Sequence, residues 1–177
     1  EALQRIADAL RQDNAFARFL RVDVPYHGPA MDGILDELRH ALTGITASRP
    51  TVPLVSTITG ALVTDADSLG SDYWPRNVRE PVLFAQGMQA LIRSGHTVFV
   101  EISGHPVLSA PMAELLALEN QPGAVLSSLT RREADRAALL RTAGRLYAAG
   151  RDPDWATLCG QAGRFIRLPP YPWQRQR

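Results

Sequence analysis

The 177 residues carry 19 Lys/Arg against 18 Asp/Glu, with 45% hydrophobic and 21% charged residues. That composition excludes wholesale disorder, and a net charge of +1 excludes a chain-wide basic field for nucleic acid. A single cysteine, Cys159, excludes an internal disulfide framework and a cysteine-based zinc site, and no apolar run approaches the roughly 18 residues of a membrane span.

In chain order, Leu3, Ile6, Ala7 and Leu10 share one helical face over residues 1–12. The start, EALQRIADALRQDN, has no signal-peptide core. It opens inside a helical pattern without Met, so a piece of something longer is expected. Alternation at Leu20, Val22 and Val24 predicts a strand closed by Pro25. After Gly28-Pro29, the spacing of Met31, Ile34, Leu35, Leu38 and Leu42 predicts a helix with a core-facing stripe. VPLVSTITG (52–60) reads as a strand, 65–71 as a loop, and 82–93 as a helix stopped by Gly95. TVFVEI (97–102) and AVLSSL (124–129) read as strands, with a helix from Leu108 to Leu118 between them and a longer one over 132–149. From residue 30 to 149 this order predicts an α/β fold with parallel strands joined by crossover helices. Beyond Gly150, the Pro-, Gly- and Trp-rich sequence reads as an extended segment lying on another surface.

Histidines are the chemically suggestive residues. His27 follows a predicted strand end, where α/β folds put their chemistry. It is either a general base or a hydrogen-bonded turn histidine. No G-x-S-x-G nucleophile elbow accompanies it. Ser103-Gly104-His105-Pro106 reads as a strand-to-helix turn, and His40 and His96 as surface and turn positions. Glu101, in an apolar strand, needs a partner, of which an ion pair is the common kind. Arg79 and Glu80 read as solvated loop charges, and Thr130-Arg131-Arg132-Glu133 as a helix start. No His/Asp/Glu set has metal-site spacing.

VDVPYHGPAMDGI (22–34), VPLVSTITG (52–60), DYWPRNVREPVLFAQGMQALIRSG (72–95), VFVEISGHPVL (98–108) and LPPYPWQRQR (168–177) occur in an order that resembles the acyltransferase domain of type I polyketide synthases. The resemblance covers the C-terminal half of that domain and its post-acyltransferase linker. It implies a fold in which 1–24 end a ferredoxin-like small subdomain, 25–130 form the C-terminal part of an α/β-hydrolase-like large subdomain, and 131–177 are the linker.

The family reaction loads malonyl or a substituted malonyl group from coenzyme A onto a serine, then onto the phosphopantetheine of an acyl carrier protein. By resemblance His27 is the catalytic histidine, and the backbone carbonyl of Asn77 holds its second nitrogen. Tyr26 occupies the place just before the histidine, next to the α-carbon of the extender unit. Malonyl-selective members typically read H-A-F-H there and methylmalonyl-selective ones Y-A-S-H; this chain reads Val24-Pro25-Tyr26-His27. The bulk of Tyr26 points to malonyl, with methylmalonyl the alternative. The family's serine elbow belongs to its first half, so the 177 residues alone are expected to be inactive. The sequence also departs from the family at Gly28, usually Ser, and Gly104, usually Pro. The resemblance implies no permanently bound cofactor and no metal. Its implied partners are acyl-CoA, the carrier protein, the ketosynthase and the missing half of the domain, in the cytoplasm, with neither nucleic acid nor membrane. A non-catalytic bracing or docking segment is the alternative.

Overall fold

A computed structural model describes residues 2–17, 19, 22–160 and 166–174. They divide into two compact units, Glu1–Gly87 and Met88–Arg177.

In the first unit, helix α1 (Ala2–Gln12) buries Ala7, while Leu3, Ile6 and Leu10 remain exposed beside Phe16 and Phe19. The strand expected at Leu20, Val22 and Val24 is not formed where it can be followed. Leu20 lies outside the described residues; Val22 has no regular structure, Val24 sits in a bend, and both side chains are exposed. Alternation without a partner ladder leaves the backbone nothing to pair with. The expected helix after Gly28-Pro29 begins as a 3₁₀ helix, Pro29–Ile34, which buries Met31 and passes into α2 (Leu35–Ala41). VPLVSTITG contributes only β1 (Val55–Ser56), paired antiparallel with β2 (Ala61–Leu62) through Val55↔Leu62 and Ser56↔Ala61. A turn at 57–60 reverses the chain, so this element is a hairpin and departs from the expected parallel order.

Helix α3 (Tyr73–Arg79) follows in a stretch for which the sequence predicts no element, with Pro75 buried in its first turn. Its seven residues include Pro75 and end before Pro81, too short a stretch for apolar periodicity to register. Arg39 of α2 reaches Asp72 at 2.8 Å and so ties α2 to the start of α3. Helix α4 (Phe84–Arg93) begins in the first unit and ends in the second. It stops as the sequence suggests, with Gly95 at φ +92°. The His96 N–H bonds back to Leu91 and the Gly95 N–H to Ile92.

The second unit has the expected βαβ order. Strands β3 (Val98–Glu101) and β4 (Ala124–Ser127) are parallel, in register from Val98↔Ala124 to Glu101↔Ser127, with α5 (Ser109–Leu118) as the crossover. Phe99, Met112, Leu116 and Leu126 form its buried core. Gly123 is required at the entry to β4, because a Cβ there would collide with the Thr97 carbonyl and the Leu116 methyls. Helix α6 (Asp135–Ala148) is joined to β4 by the Thr142 hydroxyl, which donates to the Ser127 carbonyl at 2.7 Å. It starts later than Thr130–Glu133 suggests, because Glu133 stays outside the helix and pairs with Arg141. The tail holds a short helix, α7 (Trp155–Cys159), whose Trp155 meets Tyr147 edge-on at 5.6 Å. Residues 166–174 have no regular structure; Tyr171 and Trp173 touch each other and are exposed.

The buried carboxylate of Glu101 organises the chain after β3. Its oxygens accept from the N–H groups of Val107 (2.8 Å) and Leu108 (3.1 Å) and from the hydroxyls of Ser109 (2.7 Å) and Ser103 (3.2 Å). Among the described residues it forms no ion pair; backbone and hydroxyl donors replace the expected cation. Burial pushes the carboxyl pKa up, but these donors outweigh that and hold it down to about 2. His105 lies in the loop so formed with its side chain exposed, its carbonyl accepting from the Ser103 hydroxyl.

Candidate active site

The site is built on the backbone around His27. The Tyr26 N–H bonds to the Val24 carbonyl at 2.9 Å, closing a three-residue turn centred on Pro25, whose ring fixes φ near the value such a turn uses. The chain then enters the left-handed region at His27, φ +63°. A non-glycine residue there costs about 1–3 kcal/mol and persists only where its surroundings over-determine it. Gly28 returns to extended backbone (φ −153°, ψ 171°) and precedes Pro29 at the first turn of the 3₁₀ helix.

The surroundings in question are the end of α3. The last carbonyls of a helix lack intrahelical donors, and His27 uses two carbonyls of this stretch. Its backbone N–H donates to Val78 at 2.8 Å, and its Nδ1 lies 2.9 Å from the carbonyl oxygen of Glu80. A carbonyl only accepts, so this contact places the proton on Nδ1 and leaves the Nε2 lone pair free. The oxygen on Nδ1 is therefore that of Glu80, and the expectation of Asn77 is corrected. Asn77 lies inside α3, where its carbonyl runs along the helix axis. Glu80 precedes Pro81, and proline disfavours helical backbone in the residue before it. Glu80 is accordingly extended (φ −82°, ψ 155°), which swings its carbonyl off the axis and onto the imidazole. The Glu80-Pro81 dipeptide is the sequence signal that could have found it.

Charged side chains surround this turn. Arg76 forks onto the Glu80 carboxylate at 2.8 and 3.1 Å, and its guanidinium holds that carboxyl below the usual range. Arg79 pairs with Asp32 of the 3₁₀ helix. Arg79 and Glu80 are thus partnered, where solvated charges were expected. Tyr26 stands beside the histidine with its ring centroid 6.2 Å from the imidazole, and it is 57% exposed. His27 is also exposed. A cavity of about 150 Å³ lined by Ser56, Leu62, Tyr73 and Arg76 does not include His27. Among the described residues no cluster of His, Cys, Asp or Glu is arranged to hold a metal. No helix among them is long and apolar enough to cross a membrane.

Gly28 is not required by its geometry. Its φ suits any residue, and a Cβ there would meet only the Pro25 carbonyl at 3.8 Å, an ordinary contact. Serine at this N-cap adds a hydroxyl able to accept from the first free N–H groups of the 3₁₀ helix. Gly28→Ser should therefore leave stability unchanged or raise it by up to about 1 kcal/mol, read as the urea midpoint. A loss of more than about 1 kcal/mol would contradict this backbone description.

Residues 1–153 match the family model described as acyl transferase domain. The polyketide synthase GfsA of Streptomyces halstedii is 37% identical over 177 residues, covering 99% of this chain and 2% of that protein. The crystal structure of the acyltransferase domain from module 8 of the salinomycin polyketide synthase superimposes with a TM-score of 0.84 at 36% identity, over 88% of this chain and 37% of that one. The acyl transferase domain of SpnD, in complex with 2-(pent-4-yn-1-yl)malonyl, gives 0.69 at 26% identity, over 84% of this chain and 36% of that one. The chain thus spans a small part of its curated relative and somewhat over a third of these solved domains.

Proposed function

The chain belongs to the acyltransferase domains of type I polyketide synthases, and from that premise we propose that it supplies the general base for loading an extender unit. In this reading His27 takes the proton of a serine hydroxyl as the serine attacks the thioester carbonyl of acyl-CoA, and gives it to the departing sulfur, so that coenzyme A leaves as its thiol. His27, neutral again, then takes the proton of the carrier-protein phosphopantetheine thiol, which displaces the serine, and returns that proton to the serine oxygen. The serine lies in a part of the domain outside these residues. The observation that carries the reading is the Nδ1 contact with the Glu80 carbonyl, which leaves Nε2 as the accepting nitrogen. The experiment is self-acylation of the complete domain with and without His27. Normal acylation without it would leave the chain a bracing or docking segment.

The acyl group we propose is malonyl. SpnD, a relative, is described with a substituted malonyl, which supports the malonyl class. The choice within that class rests on Tyr26, whose phenol ring stands beside His27; in this reading its bulk crowds an α-methyl branch. One methyl is worth about 1–3 kcal/mol in such pockets, a preference of about 10- to 200-fold. Tyr26→Ser should bring the two rates within about a few-fold of each other in competitive acylation by malonyl- and methylmalonyl-CoA. Methylmalonyl outcompeting malonyl in the unmodified domain would refute the steric reading.

A further inference from the structure

The clamp on His27 closes at a third point, outside the imidazole. Asp32 lies in the 3₁₀ helix that begins two residues after His27, and it pairs with Arg79, the last residue of α3. Arg79 stands in sequence between Val78 and Glu80, whose carbonyls hold the His27 N–H and Nδ1. Arg76, one turn earlier, forks onto the Glu80 side chain. The last turn of α3 is therefore fastened to the 27–32 segment at its backbone, at the imidazole and at the Asp32–Arg79 pair.

We propose that Asp32 and Arg79 are positioning residues: their ion pair keeps the Glu80 carbonyl on Nδ1, and so keeps His27 in the tautomer with Nε2 unprotonated. This rests on the reading of His27 as the general base. The pair is poorly placed to act through stability, since the Arg79 side chain is 33% exposed and that of Asp32 59%, and ion pairs in that environment add little to folding. It is well placed to act through geometry. His27 sits in a left-handed conformation that its neighbours must enforce. When Asp32 and Arg79 separate, the segment bearing the ring and the turn bearing the carbonyl lose their side-chain tie. An imidazole without that acceptor populates the tautomer with hydrogen on Nε2, which cannot accept a proton there.

The test uses the complete acyltransferase domain, a unit crystallised on its own in a relative, labelled with ¹⁵N-histidine. The imidazole nitrogen shifts of His27, assigned by difference from His27→Ala, report the tautomer directly. Asp32→Asn and Arg79→Gln should each move His27 from the Nδ1–H toward the Nε2–H form. Each should slow self-acylation on the order of 10-fold, with KM for acyl-CoA little changed. The reversed pair, Asp32→Arg with Arg79→Asp, should restore both signals. An unchanged tautomer in the two folded single variants would overturn the proposal, whatever happens to the rate. The His27→Ala arm separates the two ideas. Full acylation in that variant removes the general-base reading, while the nitrogen shifts still decide whether the pair positions the ring.

Discussion

Replacing His27 by alanine is expected to slow self-acylation of the complete domain by about 10²–10⁴-fold, the span for losing a positioned acid–base group. A serine hydroxyl is a weak nucleophile until a neighbour removes its proton. The free Nε2 of His27 is the group placed to do so once Nδ1 is committed to the Glu80 carbonyl. The loss should fall on the rate constant, with acyl-CoA binding little changed, because in the proposed mechanism His27 acts only on the proton being transferred. The fold should survive: the side chain is exposed and contributes one hydrogen bond outside its backbone. Quenched-flow mass spectrometry of the acyl-enzyme gives the rate, and circular dichroism confirms the fold. A folded variant within a few-fold of the unmodified rate would remove His27 from the chemistry.

The second large effect lies at Glu101 and concerns stability. Glu101→Ala strips four donors, the N–H groups of Val107 and Leu108 and the hydroxyls of Ser103 and Ser109, of a buried charged acceptor. Fully buried donors left unsatisfied cost about 1–3 kcal/mol each, and these four are part-buried. Water reaching the loop recovers part of this, so a net loss of about 3–5 kcal/mol is expected in urea unfolding. A loss below about 1 kcal/mol would show that the loop holds its shape without the carboxylate. The same site fixes a pH dependence. The folded pKa of about 2 lies below the usual 4.5, so the stabilisation is fully present above pH 4.5. It is lost as pH falls from there toward about 2, as the unfolded chain takes up its proton first. The depression of the pKa corresponds to about 3 kcal/mol at neutral pH, of the same size as the substitution effect.

Much of the second unit is legible in the sequence because its elements are clearly punctuated. VFVE and AVLS are short apolar runs around a helix, and Gly95 ends α4 through a φ that only glycine adopts without strain. The first unit was read less well. VPLVSTITG reads as one strand rather than a hairpin, because a turn built of Thr-Ile-Thr-Gly carries β-formers where Asn-Gly would announce a reversal. Helix α3 was missed because its seven residues hold a proline and no repeat. The place of His27 after Pro25 and before Gly28-Pro29 marks it as a candidate, while the resemblance points to Asn77 as its partner. A backbone carbonyl has no side-chain signature, and only the extended conformation forced by Pro81 marks Glu80 as the residue that turns outward. Asp32 and Arg79 lie 47 positions apart, a separation across which no periodicity in a single sequence connects two charges.

The most direct measurement of the central claim is chemical rescue of His27→Gly. Glycine adopts the left-handed backbone at this position without strain, and the vacated space is open to solvent because His27 is exposed. The complete domain with this substitution, given malonyl-CoA, should acylate itself slowly. Added free imidazole should then raise that rate in a saturable manner, while leaving the unmodified domain unaffected. Acylation by His27→Gly at the unmodified rate, with no imidazole present, would contradict the assignment of His27 as the base.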